Sequence, residues 1–115
     1  MYEFDSKLSE RWAKEPQSLK KLIRAVAEDY ERRCAKLISG TPSRRMRMEY
    51  AYLNSKIYEG ALEIVGPILA DTFIREIGSG VGYAKSAVEC MSEATYKKCK
   101  GDITCNIAKK IYLWE

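Results

Sequence analysis

The chain has 115 residues, of which 46% are hydrophobic and 31% charged, and its formal net charge is +4 at neutral pH. This length and apolar content suit one globular domain with a modest core and argue against a disordered chain. The chain has no histidine, and its four cysteines form no C-x-x-C pair, so a zinc site is not expected; the positive charge is a weak indication of anionic partners.

Residues 1–15 form the first segment, in which aromatic side chains stand among charged ones. Leu8 and Trp12 are four residues apart, which places them on one face of a helix. Two interpretations stay open: a short N-terminal helix that docks through its aromatic side chains, or a loose arm.

The segment 16–66 predicts a helical hairpin. Apolar residues recur at steps of three and four from Pro16, which suits a first helical position, to Gly40, which suits a left-handed C-cap. A second helix is expected to begin near Ser43 and to end at Gly66-Pro67. Because the linker is short, we expect the two helices to pack antiparallel.

The segment 67–115 predicts three further helices. The first runs from Pro67 to the glycine-rich break at 78–80, with Ile68 among its inward residues. A short helix of about two turns is expected within 81–91. The last helix begins at Ser92 and carries one buried stripe of apolar side chains. The sequence therefore predicts an all-α fold in a single domain.

The order of helix, glycine break, short helix, turn and helix is typical of a helix-turn-helix. Ser92 suits an N-cap, and Tyr96 is expected to anchor the last helix on the core while Asp102 faces away from it. Lysines in the first turns would meet phosphates, and Thr95 is the more suitable base reader. The nucleic-acid contacts predicted for this helix are Ser92, Thr95, Lys97, Lys98 and Lys100.

The residues "GYAKSAVECMSEATYKKCKGDITCNIAKKIYL" resemble the C-terminal part of small phage-encoded transcriptional regulators of the RinA and ArpU type, and more distantly region 4 of sigma factors. The shared pattern is a short helix, a serine-capped helix beginning Ser-x-x-Thr-Tyr-Lys, and an aliphatic tail. It covers about the last third of the chain, and residues 89–91 replace the glycine expected in the turn. The resemblance implies cofactor-independent, sequence-specific DNA binding in a phage or prophage gene-control circuit.

A second basic cluster, Arg44, Arg45 and Arg47, lies at a predicted helix N-terminus. The helix macrodipole disfavours positive charge there by a few tenths of a kcal/mol each. An anionic partner such as a phosphate backbone would offset that cost. The alternative is that the arginines pair with acidic side chains such as Glu49.

The sequence shows no recognisable catalytic arrangement, and carboxylate pairs such as Glu59 with Glu63 are typical of a solvated helix face. Without histidine, Cys-His and Ser-His arrangements are impossible, and "GSGVG" lacks the lysine of a phosphate-binding loop. We therefore predict a binding protein, not an enzyme, with no catalytic residue, metal or cofactor.

Two functions remain in competition. In the first, a homodimer binds double-stranded DNA as a transcriptional regulator, and the hairpin provides the dimer surface. In the second, the chain is a protein-interaction module, such as a phage accessory or anti-CRISPR type inhibitor, because tyrosine and arginine are enriched at binding hot spots. The interface predicted for that case comprises Arg44, Arg45, Tyr50, Tyr52 and Tyr58.

The expected location is the cytoplasm, with no membrane partner. No apolar run approaches the ~20 residues of a membrane span, and the first residues lack the apolar stretch of a signal peptide. The four cysteines are accordingly expected to be reduced and mostly packed.

Overall fold

A computed structural model of the chain describes residues 6–40 and 42–114, and within these ranges it contains helices and no strand. The prediction of an all-α fold is confirmed. None of the helices in these ranges is both long and apolar enough to cross a membrane. The α-helices are α1 (Ser6–Ala13), α2 (Gln17–Glu28), α3 (Tyr30–Ser39), α4 (Arg44–Val65), α5 (Ala70–Ser79) and α6 (Glu93–Lys110), with one 3-10 turn at Tyr83–Lys85.

The first segment contains a short helix, α1, although its first five residues lie outside the described part of the chain. Trp12 is buried, and its ring packs edge-on against Trp114 with 5.3 Å between ring centroids. The indole N–H of Trp114 donates to the Glu15 carboxylate at 3.0 Å. These contacts tie α1 to the segment that follows α6.

The single helix predicted between Pro16 and Gly40 is two helices, because the chain bends at Asp29. The buried guanidinium of Arg33 donates to the carbonyl of Val26 and to the side chain of Asn54, both at 2.6 Å. A carbonyl at the end of α2 thus finds a donor from the next helix. No glycine or proline lies at this bend, so the helical spacing of apolar residues continues through it.

The antiparallel hairpin consists of α3 and α4. Arg47 at the start of α4 donates to the carbonyl of Leu37 at 2.9 Å, and Asn54 further along donates to the carbonyl of Tyr30 at 3.1 Å. The pairs run in opposite directions along the two helices, as expected for an antiparallel pair. In contrast, α2 packs chiefly on α5, so only the second half of the first predicted helix belongs to the hairpin.

The predicted helix ends at Gly40, Ser43 and Gly66 are confirmed. Gly40 and Gly66 have positive φ angles of 71° and 81°, a region that glycine enters without steric cost. The hydroxyl of Ser43 accepts from the backbone N–H of Met46 at 3.3 Å and so caps α4.

The last helix, α6, lies at the centre of the fold and packs against α1, α2, α4 and α5. It crosses α4 closely: a Cβ at Gly60 would lie 2.7 Å from the side chain of Ile107 and 3.1 Å from its backbone nitrogen. A similar close crossing joins α5 to α2, where a Cβ at Gly78 would lie 2.6 Å from the Cα of Glu28. Both glycines therefore set how closely the helices approach.

The burial predicted for Ile68 and the exposure predicted for Asp102 are both wrong. Ile68 is 89% exposed because it lies in the turn before α5, which begins only at Ala70. Asp102 is buried because α6 is surrounded by other helices from this position onward. A helix at the centre of a bundle has no solvated face on which its polar residues could all be placed.

Candidate functional site

The segment 81–91 does not form the short helix that a helix-turn-helix requires. After α5 the chain makes one 3-10 turn, Tyr83–Lys85, and continues as a loop to Ser92. The three-helix arrangement predicted for this region is therefore absent, and the turn at 89–91 is part of an extended connection.

The carboxylate of Glu76 on α5 holds this loop in place. Its oxygens accept from the hydroxyls of Ser86 and Tyr96, both at 2.6 Å, and from the backbone N–H of Ala87 at 2.8 Å. Burial alone raises the pKa of Glu76, but these three donors outweigh it and hold that pKa below its usual value. Burial and the bond to Glu76 raise the pKa of Tyr96 to about 12, so its hydroxyl remains a donor. Glu76 thus supplies acceptors for the Ser86 hydroxyl and the Ala87 N–H, and so fixes the middle of the loop without a helical turn.

The first turn of α6 has the predicted N-cap. Ser92 accepts from the backbone N–H of Thr95 at 3.3 Å and donates to the Thr95 hydroxyl at 3.0 Å. Both hydroxyls therefore serve the cap, and the hydroxyl of Thr95 is already engaged. Lys97 is exposed and pairs with Glu93 at 2.8 Å.

Lys98 and Lys100 differ in their surroundings. Lys98 is exposed, and its ammonium lies 3.0 Å from the buried carboxylate of Asp102, which also accepts from Ser9 at 2.9 Å. Lys100 is half-buried: its ammonium donates to the carbonyl of Val81 at 2.7 Å. The prediction of Asp102 as a residue facing away from the fold is thus wrong, because α1 covers it.

Lys97, Lys98 and Lys100 share one concave space with two cations that were not among the predicted site residues. Lys20 and Arg24, one turn apart on α2, lie across a concave space of about 510 Å³ from α6. The five cationic side chains, hereafter the basic groove, are Lys20, Arg24, Lys97, Lys98 and Lys100. Asp102 is the one carboxylate in the groove lining, and the remaining lining comes from Ser9, Trp12, Ala13, Ile77, Gly80, Gly101 and Thr104.

Positive charge is crowded in the basic groove. Burial lowers the pKa of Lys100; the Glu76 carboxylate opposes this shift, and the nearby Arg24 guanidinium adds to it. Arg24 lies against Gly80, where a side chain on the glycine would displace it. Among the described residues Arg24 forms no ion pair, although it also lines an adjoining concavity together with Glu28, Glu31 and Glu76. An anion between α2 and α6 would relieve this repulsion.

Gly101 forms an open part of the groove. It lies in the interior of α6, and a Cβ added there would meet no atom within 4 Å. The space above it is therefore free for a ligand group, and it is bordered by cations of α6 itself and of α2. Together these features suit the oxygens of a phosphate better than an apolar ligand.

The arginine cluster at the start of α4 does not line the basic groove. Arg47 binds the carbonyl of Leu37 and so joins the two helices of the hairpin. Arg45 pairs with Glu49 at 3.3 Å, the acidic partner considered as the alternative in the sequence analysis, and Arg44 is exposed. Only Arg44 and Arg45 are thus available to an external partner.

The three tyrosines of the predicted protein interface have separate environments. Tyr52 is 52% exposed. Tyr50 is half-buried beneath the Arg32 guanidinium, 5.7 Å from the ring centroid, and Tyr58 packs against the core. The structure therefore does not bring these tyrosines together on one surface.

A second groove, of about 860 Å³, lies between the end of α4 and the start of α6. Its lining includes Leu62, Leu69, Met91 and the exposed thiol of Cys90, with Lys98 as its one cation. None of the chain's four cysteines forms a disulfide, and in the described part of the chain no cluster of three acidic or thiol groups is arranged to hold a metal ion. Of these two grooves, the basic groove carries the greater positive charge.

No protein-family model, curated protein or solved structure matches the chain. The resemblance to phage regulators of the RinA and ArpU type therefore stays a prediction from the sequence.

Proposed function

We propose that the protein binds double-stranded DNA by gripping its phosphate backbone in the basic groove. The observation that carries the proposal is the convergence of five cationic side chains from α2 and α6 on one concave space with a single carboxylate in its lining. Such a site attracts a polyanion without reading its sequence, since phosphate contacts position a protein and base contacts supply specificity.

The proposed contact differs from a recognition helix in the major groove. Only the first turns of α6 are exposed, and from Asp102 onward the helix is part of the core. The Thr95 hydroxyl already accepts a hydrogen bond from Ser92 at the N-cap, so it is partly engaged before any base contact. Binding through lysines and an arginine alone predicts little preference among DNA sequences.

The salt dependence of binding gives the number of phosphates that the protein contacts. Each phosphate neutralised on B-DNA contributes about 0.9 to the slope of log K against log salt, so five contacts give a slope of roughly −4.5. Lys97 and Lys98 already pair with Glu93 and Asp102. Their partial compensation reduces the expected slope to between about −3 and −4.5.

The experiment compares two variants with the same change in net charge. In one, Lys20→Gln and Arg24→Gln remove cations from the basic groove; in the other, Lys21→Gln and Lys36→Gln remove exposed cations outside it. Affinity for a labelled duplex is measured by fluorescence anisotropy across a salt series. The groove variant is expected to lose about two phosphate contacts, and hence about 1.8 from the slope, whereas the control retains nearly the full slope.

Two results would contradict the proposal. Equal losses in both variants would show that net charge matters and the groove does not. No measurable binding by the unmodified protein at ~50 mM salt would exclude phosphate gripping altogether. A third variant, Arg44→Gln with Arg45→Gln, tests whether the arginines of α4 form a second backbone contact.

A further inference from the structure

The outer face of α4 carries a stripe of mostly exposed side chains that lies outside the basic groove. Its positions follow one another at steps of three, four, three and four residues, the spacing of a coiled-coil seam. The stripe, hereafter the α4 seam, consists of Arg45, Met48, Tyr52, Ser55 and Glu59. Met48 is 66% exposed and Tyr52 52%, so its apolar centre is uncovered.

The charges of the α4 seam are arranged symmetrically about Tyr52. Arg45 stands seven residues before Tyr52 and Glu59 seven residues after it, about 10 Å away on either side. Glu49 and Lys56 flank the seam closer to its centre, and they are again opposite in sign. Arg45 and Glu59 are therefore opposite charges at equal distances from Tyr52, and Glu49 and Lys56, three residues before it and four after it, are opposite charges at nearly equal distances.

We propose that the α4 seam is the contact surface of a second copy of this chain, paired antiparallel about a two-fold axis beside Tyr52. In that arrangement Arg45 of one copy meets Glu59 of the other, and Glu49 meets Lys56, while Met48 and Tyr52 cover each other at the centre. A two-fold contact places the same surface on both copies, and only a self-complementary pattern satisfies this condition.

The existing contacts of these side chains are compatible with such pairing. Arg45 lies 3.3 Å from Glu49, and Lys56 lies 3.4 Å from Glu59. Both are pairs within α4 on its solvent-exposed face, where ion pairs contribute little to stability. In the proposed dimer, the Arg45–Glu49 pair of each copy lies beside the Lys56–Glu59 pair of the other. This gives two networks of four charges that border the apolar centre. Ala51 and Ser55, which are small and exposed, leave room for close approach beside Tyr52.

The patch is one helix wide, so its area lies at the lower end of specific interfaces, and a dissociation constant in the micromolar range is expected. The test is sedimentation equilibrium of the full chain without nucleic acid, so its outcome is independent of the groove. Arg45→Glu alone and Glu59→Arg alone each create two like-charge contacts and should weaken association at least about tenfold.

Mixing the two single variants provides the decisive measurement. A heterodimer of Arg45→Glu with Glu59→Arg restores both ion pairs, so the mixture should associate as tightly as the unmodified protein. Lys21→Glu on α2 is the control and should leave association unchanged, and circular dichroism verifies that each variant is folded. A misfolded variant would not regain association on mixing.

Either of two outcomes overturns the proposal. The unmodified chain remaining monomeric up to about 500 μM, well above the expected micromolar range, would show that the seam does not bind a second copy. A mixture that associates no better than the single variants would show that these charges do not meet across the contact.

Discussion

Replacing Glu76 by glutamine tests whether one carboxylate holds the loop between α5 and α6 in place. The side chain is 7% exposed and accepts three hydrogen bonds, from Ser86, Tyr96 and Ala87. A glutamine of the same shape has one acceptor oxygen, so its amide N–H groups must face one of the three donors. Two bonds lose their charge assistance, at about 1 kcal/mol each, and one buried donor is left unsatisfied at about 1–3 kcal/mol.

The variant is therefore expected to lose about 3–5 kcal/mol of unfolding free energy, which corresponds to a fall in Tm of roughly 10–20 °C for a domain of this size. Urea denaturation at neutral pH, followed by circular dichroism, measures the loss. Glu89→Gln, on the exposed side of the same loop, is the matched control and should change stability by less than about 0.5 kcal/mol.

The pH dependence gives an independent measure of the same carboxylate. Because hydrogen bonds hold the folded-state pKa of Glu76 below 4.5, its contribution to stability is complete above about pH 4.5 and is lost as the pH falls through that lower pKa. The difference between the unmodified protein and Glu76→Gln should shrink over this acidic range, since a protonated carboxyl resembles the amide. A loss below about 1 kcal/mol at neutral pH, or a difference independent of pH, would refute the reasoning.

Three further substitutions test the packing, each by urea denaturation. Gly101→Ala should stabilise the protein by up to about 1 kcal/mol, because the site is helical and a Cβ there meets no atom within 4 Å. A loss of stability would show that the space above Gly101 is not open. Gly78→Ala should cost about 3 kcal/mol or more, because its Cβ would meet the backbone of Glu28, and an unchanged stability would contradict the close crossing. Arg33→Met should cost about 2–4 kcal/mol by leaving two buried acceptors without a donor, whereas the exposed Arg32→Met should cost less than about 1 kcal/mol; equal effects would contradict the role of Arg33 at the bend.

The helical fold could be predicted because its main signals are local. Apolar periodicity, the serine caps and the glycines with positive φ act within one or two turns, and they located the ends of α4 and the start of α6. The bend at Asp29 could not be predicted in this way. It depends on Arg33 binding Asn54, which lies 21 residues further along the chain, and no residue at the bend itself prevents a continuous helix.

The loop that replaced the expected short helix has the same kind of cause. Residues 81–91 carry enough apolar side chains to suggest a helix, but the carboxylate of Glu76, on a neighbouring helix, binds the Ser86 hydroxyl and the Ala87 N–H in the middle of the loop. The prediction of a short helix here was wrong because a periodic pattern does not show where a backbone finds its hydrogen bonds.

By itself, the sequence determined the all-α class, the main helix ends and the cationic character of the first turns of α6. Only the tertiary structure decided that α6 is a central helix, that Asp102 is buried, and that Lys20 and Arg24 lie opposite Lys97 and its neighbours. The i, i+4 spacing of Lys20 and Arg24 marked a cationic face on α2, but nothing local indicated what lies across from it. Charges 70 or more residues apart in the chain become neighbours only through helix packing, so the groove they form cannot be read from local spacing.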